Sequence, residues 1–168
     1  FPAQAGKRDA QESRGLGDVY KRQTQNFMVP MNLLNKRSAS YVASGYWSKR
    51  TYNDAQPFEN IKLAASSEAD NFIKAPEPNE WIVSKNDAYI HFCMNETIHG
   101  VEYFDVPKGF NAPLVCDMSS NILSRPIDIS QFGVIYAGAQ KNIGPAGLTL
   151  VIVRAVSYTH LTLPTNRE

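Results

Sequence analysis

The chain has 168 residues, 43% of them apolar, with 17 Lys or Arg against 16 Asp or Glu. That length and composition suffice for one domain with a hydrophobic core, while the near-zero net charge excludes the electrostatic footprint of a nucleic-acid or acidic-membrane binder. Cys93 and Cys116 lack zinc-type spacing, no secretory leader stands out and no apolar run reaches membrane-span length, so a reduced, cytoplasmic chain is expected.

The ends differ in kind from the middle. SRGLGDVYKRQ (13–23) is what the codons of a transposon adapter used for sequencing libraries would encode, and VSYTHLTLPT (156–165) corresponds to the companion adapter on the opposite strand. The codons for Asp18 to Gln23 and for Val156 to His160 share an inverted core. Residues 1–12 and 166–168 would be flanking index and primer sequence, a looser match. Segments 1–23 and 156–168 are therefore expected to be non-native and to carry no evolved packing; a basic arm and a polar tail of a natural protein are the alternative. The 132 residues from 24 to 155, with eleven basic and twelve acidic side chains, are then a partial domain.

Within 24–155, FMVPMNLL (27–34) predicts a helix, and SKRTYNDAQPF (48–58) a second one capped by Ser48. Apolar or β-branched runs predict strands at KLAAS (62–66), AYIHFCM (88–94), PLVCD (113–117), GVIYAG (133–138) and GLTLVIV (147–153). KAPEPNEW (74–81), with two prolines, predicts a loop or turn. The strands are apolar nearly throughout, the pattern of a sheet covered on both faces, which favours an α/β layer structure with a parallel or mixed sheet. Neither an internal repeat nor a low-complexity tract interrupts it.

Open α/β sheets bind ligands at the carboxyl ends of their strands. Asn95, Glu96 and Thr97 follow one predicted strand, Asp117 closes another, and Gln140 and Lys141 follow a third. An acid ending a buried strand needs a cationic or hydrogen-bonding partner; Asp117 either serves a site or caps a turn through Ser119 and Ser120. Lys141 stands before NIGPAG, whose small residues let backbone approach a ligand closely. A lysine there suits Schiff-base chemistry, and a solvated loop lysine is equally consistent with the spacing. A phosphate-binding P-loop is disfavoured, because its glycines precede its lysine. His91, inside an apolar run, reads as a core residue, and His99 and Arg125 as structural.

Four motifs, SGYWSKR (44–50), NETIHGVE (95–102), DMSSNILSRPID (117–128) and YAGAQKNIGPAGLT (136–149), in this order resemble the phosphoserine aminotransferase family of fold-type-I pyridoxal-phosphate enzymes. The likeness runs through almost all of 24–155. It implies part of the large cofactor-binding domain, a mixed, mostly parallel α/β sheet with helices. It further implies that Lys141 forms the Schiff base with the cofactor aldehyde and that Asp117 pairs with the protonated pyridine nitrogen. Trp47 would stack on the ring, Thr97 would hydrogen-bond near it, and Gln140 would help hold the phosphate. From the residues alone, Trp47 reads better as a core aromatic.

The implied reaction is transamination between phosphoserine with 2-oxoglutarate and 3-phosphohydroxypyruvate with glutamate, in serine biosynthesis, by a homodimeric parent enzyme acting on small molecules. The family's glycine-rich phosphate-binding segment and its substrate arginines are expected to fall outside this chain. Two other readings compete: a different fold-type-I enzyme such as a cysteine desulfurase, against which NETIHG and LSRPID argue, and a non-catalytic phosphate-binding module built on NIGPAG.

Overall fold

The computed structural model describes residues 24–155; the expectations for 1–23 and 156–168 lie outside the described residues. Helix α1 (24–33) opens them. It gives way to Asn35 and Lys36 at φ 42° and 60°, left-handed angles that asparagine tolerates better than most side chains. Strand β1 (Ser38–Ala43), helix α2 (Tyr46–Ala55) and strand β2 (Ile61–Ser66) follow. After a long connection come β3 (Asp87–Cys93), the short strands β4 (Asn95–Glu96) and β5 (Val101–Glu102), then β6 (Leu114–Asp117), β7 (Phe132–Gly138) and β8 (Thr149–Val153).

Six strands form one sheet in the order β2-β1-β3-β6-β7-β8, and β4 pairs with β5 in a separate antiparallel ribbon. Neighbours in the large sheet run parallel except β7 and β8, which are antiparallel. The expected mixed, mostly parallel sheet is therefore present. From β1 the chain crosses through α2 to β2 on one side, then returns to place β3 on the other side of β1. This reversal of strand order opens a crevice between the carboxyl ends of β1 and β3, where open α/β sheets bind ligands.

The sheet separates two cores. Val29, Leu34, Tyr41, Ala55, Tyr89, Val115 and Tyr136 pack on the helical face. On the other face Trp81, Phe92, Tyr103, Cys116, Ile122 and Phe132 pack under the connecting loops. Trp81 anchors the proline-bearing 74–81 segment: its Nε1 donates to the Pro76 carbonyl at 3.1 Å, and its ring stacks on Phe110 at 5.1 Å.

Strands β3, β6 and β7 are buried along their whole length, as continuous apolar runs predict, whereas β2 and β8 are partly exposed at the sheet edges. Strand β1, which carries no continuous apolar run, was not expected. Its Ser38 and Ser40 are accommodated because both hydroxyls donate to the buried Asp87 carboxylate of β3, the second at 2.5 Å, with Ser84 N–H at 2.9 Å. Helix α2 also differs from expectation. It begins at Tyr46 with Gly45 as N-cap and ends at Ala55, so Ser48 lies inside the first turn. There its Oγ reaches back to accept the N–H groups of Ser44 and Gly45, at 2.8 and 3.0 Å.

Candidate active site

Polar groups gather along the carboxyl edge of the sheet, at and beyond the ends of β3, β6 and β7. Asp117 is the last residue of β6 and only 4% exposed. Its Oδ1 accepts the N–H of Ser119 at 2.9 Å and the Ser119 hydroxyl at 2.5 Å, so the turn-capping role considered for it holds through Ser119, though not through Ser120, whose hydroxyl turns to Asn95, and it fixes the plane of the carboxyl group. Ser119 Oγ in turn accepts Gly138 N–H at 3.0 Å, tying the end of β6 to the end of β7. Burial, and next the charge of Asp117, push the neighbouring Cys116 thiol well above its ordinary value, which makes it an unreactive side chain despite its position.

Strand β7 stops at Gly138, and Lys141 follows on the exposed turn beyond it. Lys141 Nζ donates to Thr97 Oγ1 at 2.5 Å, although the two are 44 residues apart in sequence. Thr97 directly follows β4, which hangs from the end of β3. The ribbon is fixed to the β6 turn by Ser120, whose Oγ donates to Asn95 Oδ1 at 2.8 Å.

Opposite the ribbon, Trp47 sits half-buried in the first turn of α2, its ring edge-on to Tyr46 at 5.0 Å. What joins this turn to the ribbon is Glu96, completely buried. Its Oε2 accepts Trp47 N–H at 3.0 Å and its Oε1 accepts Ser48 N–H at 2.7 Å. His99 adds a weaker tie through Nδ1, which accepts Tyr46 N–H at 3.3 Å.

The structure thus brings Lys141 onto Thr97, links Trp47 to the same ribbon through Glu96, and holds Asp117 between the ends of β3 and β7. Gln140 is exposed beside Lys141 and is joined to none of the others by a side-chain hydrogen bond among the described residues. Glu96 is among the polar residues expected at the end of β3, and Ser119 among the turn partners expected for Asp117, but the cross-links each makes are not expected. The position of Glu96 at a strand end and the Ser119–Asp117 turn are legible in the sequence; the amides of Trp47 and Ser48 that Glu96 accepts, and the Gly138 N–H that Ser119 accepts, are distant backbone groups that spacing does not reveal. His91 and Arg125 are structural, as read: His91 Nε2 lies 2.9 Å from Tyr136 Oη beneath the helices, and Arg125 pairs with Glu102.

A lysine and a buried acid at the carboxyl ends of adjoining parallel strands, with an aromatic side chain across the crevice between β1 and β3, stand where open α/β proteins place their ligands. The family model for class-V aminotransferases matches residues 23–163, and the chain belongs to that family. It is 54% identical over 127 residues to the phosphoserine aminotransferase of Pseudomonas entomophila, covering 75% of this chain and 35% of that one. Among solved structures, the phosphoserine aminotransferase of Bacillus circulans subsp. alkalophilus superimposes with a TM-score of 0.79 at 44% identity, over 83% of this chain and 39% of that one. The pyridoxal-phosphate-bound enzyme of Trichomonas vaginalis gives 0.75 at 36% identity, over 84% of this chain and 43% of its own. The chain therefore spans less than half the length of these relatives.

Proposed function

We propose that this chain carries the cofactor-binding core of a pyridoxal-phosphate aminotransferase that exchanges an amino group between phosphoserine and 2-oxoglutarate. The observation that carries the reading is the Lys141–Thr97 contact at the carboxyl edge of the sheet, beside an Asp117 whose carboxyl plane Ser119 holds. These residues fit the cofactor's chemistry. When bound, pyridoxal phosphate supplies an electron sink for negative charge at the substrate Cα. Asp117 would keep a proton on the ring nitrogen, and Trp47 would present a flat apolar plate. Thr97 Oγ1 would donate to the ring's polar edge once Lys141 turns away from it, and the Gln140 amide would donate to a phosphate oxygen. Lys141 Nζ would hold the aldehyde carbon covalently and, when released, carry the proton taken from Cα. A cytoplasmic, homodimeric parent enzyme belongs to the same proposal.

The test is to titrate the chain with pyridoxal phosphate, follow the new absorbance band, reduce with borohydride and map the labelled peptide. Label on Lys141, lost in Lys141→Ala, is expected. Label spread over surface lysines, or unchanged in Lys141→Ala, would overturn the assignment. For the amino-group transfer, the whole enzyme should form glutamate from phosphoserine and 2-oxoglutarate; a desulfurase would release sulfur from cysteine instead.

A further inference from the structure

We infer that Glu96 is a positioning residue for the cofactor pocket, one that holds Trp47 and Thr97 in register across the crevice between β1 and β3. The inference deepens the pyridoxal-phosphate reading and rests on it.

A carboxylate removed from water is costly unless donors replace its hydration. Glu96 is completely buried, and its two oxygens accept the N–H groups of Trp47 and Ser48 from the opening turn of α2. Those amides have no acceptor inside the helix, and the helix dipole favours a negative charge at that end. Charge-assisted bonds of this kind are stronger than neutral ones. The carboxylate therefore fixes the backbone of Trp47 itself, not merely the helix as a body.

On its own side Glu96 is equally constrained. It pairs with Val101 in the ribbon, and its carbonyl accepts Gly100 N–H at 2.8 Å. The next residue is Thr97, whose hydroxyl meets Lys141. One side chain thus spans the crevice between the stacking residue and the residue that meets the lysine. Gly45 completes the clasp: a Cβ there would lie 2.5 Å from Glu96 Cδ and Cγ, so close approach, not backbone angle, demands glycine. Its φ of 179° is open to any residue.

A simple helix cap would use the same hydrogen bonds, so the test needs readouts that a cap alone would not move. In the cofactor-free chain, amide exchange at Trp47 and Ser48 should quicken about tenfold or more in Glu96→Gln, whose amide group presents a donor to one of the two N–H groups. With pyridoxal phosphate added, the folded Glu96→Gln chain should bind about tenfold more weakly, with a smaller induced circular dichroism per bound cofactor. Glu96→Asp, which keeps the charge, should recover part of both. Gly45→Ala presses on the carboxylate from the other side and should reproduce the pattern, which keeps the question answerable should Glu96→Gln fail to fold.

Faster exchange with wild-type affinity and dichroism would leave Glu96 a helix cap and overturn the inference, as would no change at all. Failure of the unsubstituted chain to take up pyridoxal phosphate would overturn the cofactor reading itself and this inference with it. The two failures are told apart by which protein shows them.

Discussion

Tyr41 and Tyr89 place their hydroxyls 2.7 Å apart in the helical-side core, at 1% and 0% exposure. Burial pushes both phenols well above their ordinary value of 10. Above about pH 10 the unfolded chain releases protons that the folded chain retains, so stability contributed by these groups is intact below that pH and declines as pH rises past it. Urea midpoints measured from pH 8 to 11.5 should fall at the alkaline end, and Tyr41→Phe/Tyr89→Phe should weaken that fall. At neutral pH, Tyr41→Phe alone should cost about 1–3 kcal/mol by leaving the Tyr89 hydroxyl without its partner, and the double variant less than the sum of the two singles. Neither tyrosine was legible as a pair, because each belongs to a different strand. Lys141 and Asp117 were legible because polar residues ending apolar runs stand out without any fold. Glu96 stood out by the same signal, but its role did not, since its partners are backbone amides 48 and 49 residues earlier.

Strands β3, β6 and β7 announce themselves because burial on both faces demands apolar side chains at every position. Strand β1 is equally central but hides behind SASYVA, since a buried acid from β3 satisfies its serines. Asp87 thus staples β1 to β3 at the amino edge of the sheet, as Glu96 does across the carboxyl edge. Asp87→Ala should lower stability by about 2–3 kcal/mol in urea unfolding, because the hydroxyl of fully buried Ser40 loses its acceptor. Asp87→Asn, which keeps one carbonyl oxygen, should cost less. Cofactor uptake by the folded Asp87→Ala chain should match wild type, the staple lying at the far end of β1 from Trp47. The start of α2 was misread for a related reason: Ser48 is a good capping residue, but it serves from the third helical position by reaching back to Gly45, while Glu96 occupies the place where a cap would act.

Residues 1–23 and 156–168 are proposed to be translated adapter sequence. Removing both segments should leave the urea midpoint of 24–155 unchanged; a clear loss of stability would show that they pack. The last expectation concerns turnover. The 168-residue chain should take up pyridoxal phosphate yet be a poor aminotransferase beside a full-length relative such as that of Pseudomonas entomophila, of which it spans 35%. Phosphoserine and 2-oxoglutarate carry carboxylate and phosphate groups that arginine recognises best, and the arginines within 24–155 are Arg37, Arg50, Arg125 and Arg154. Arg125 is paired with Glu102, and Arg154 donates to the carbonyls of Ser130 and Phe132. Arg50 lies 3.8 Å from Asp54 on α2, and Arg37 directly precedes β1 at the amino edge, opposite the edge where Lys141 stands. The binding energy that would orient the substrate Cα toward Lys141 is then expected from residues outside 24–155, and without it proximity contributes little to the rate. Glutamate formation from phosphoserine and 2-oxoglutarate, measured at saturating cofactor for both proteins, decides the matter. A deficit of about a thousandfold or more, roughly 4 kcal/mol in barrier, is expected, and turnover within about tenfold of the relative would mean that this chain's own side chains suffice.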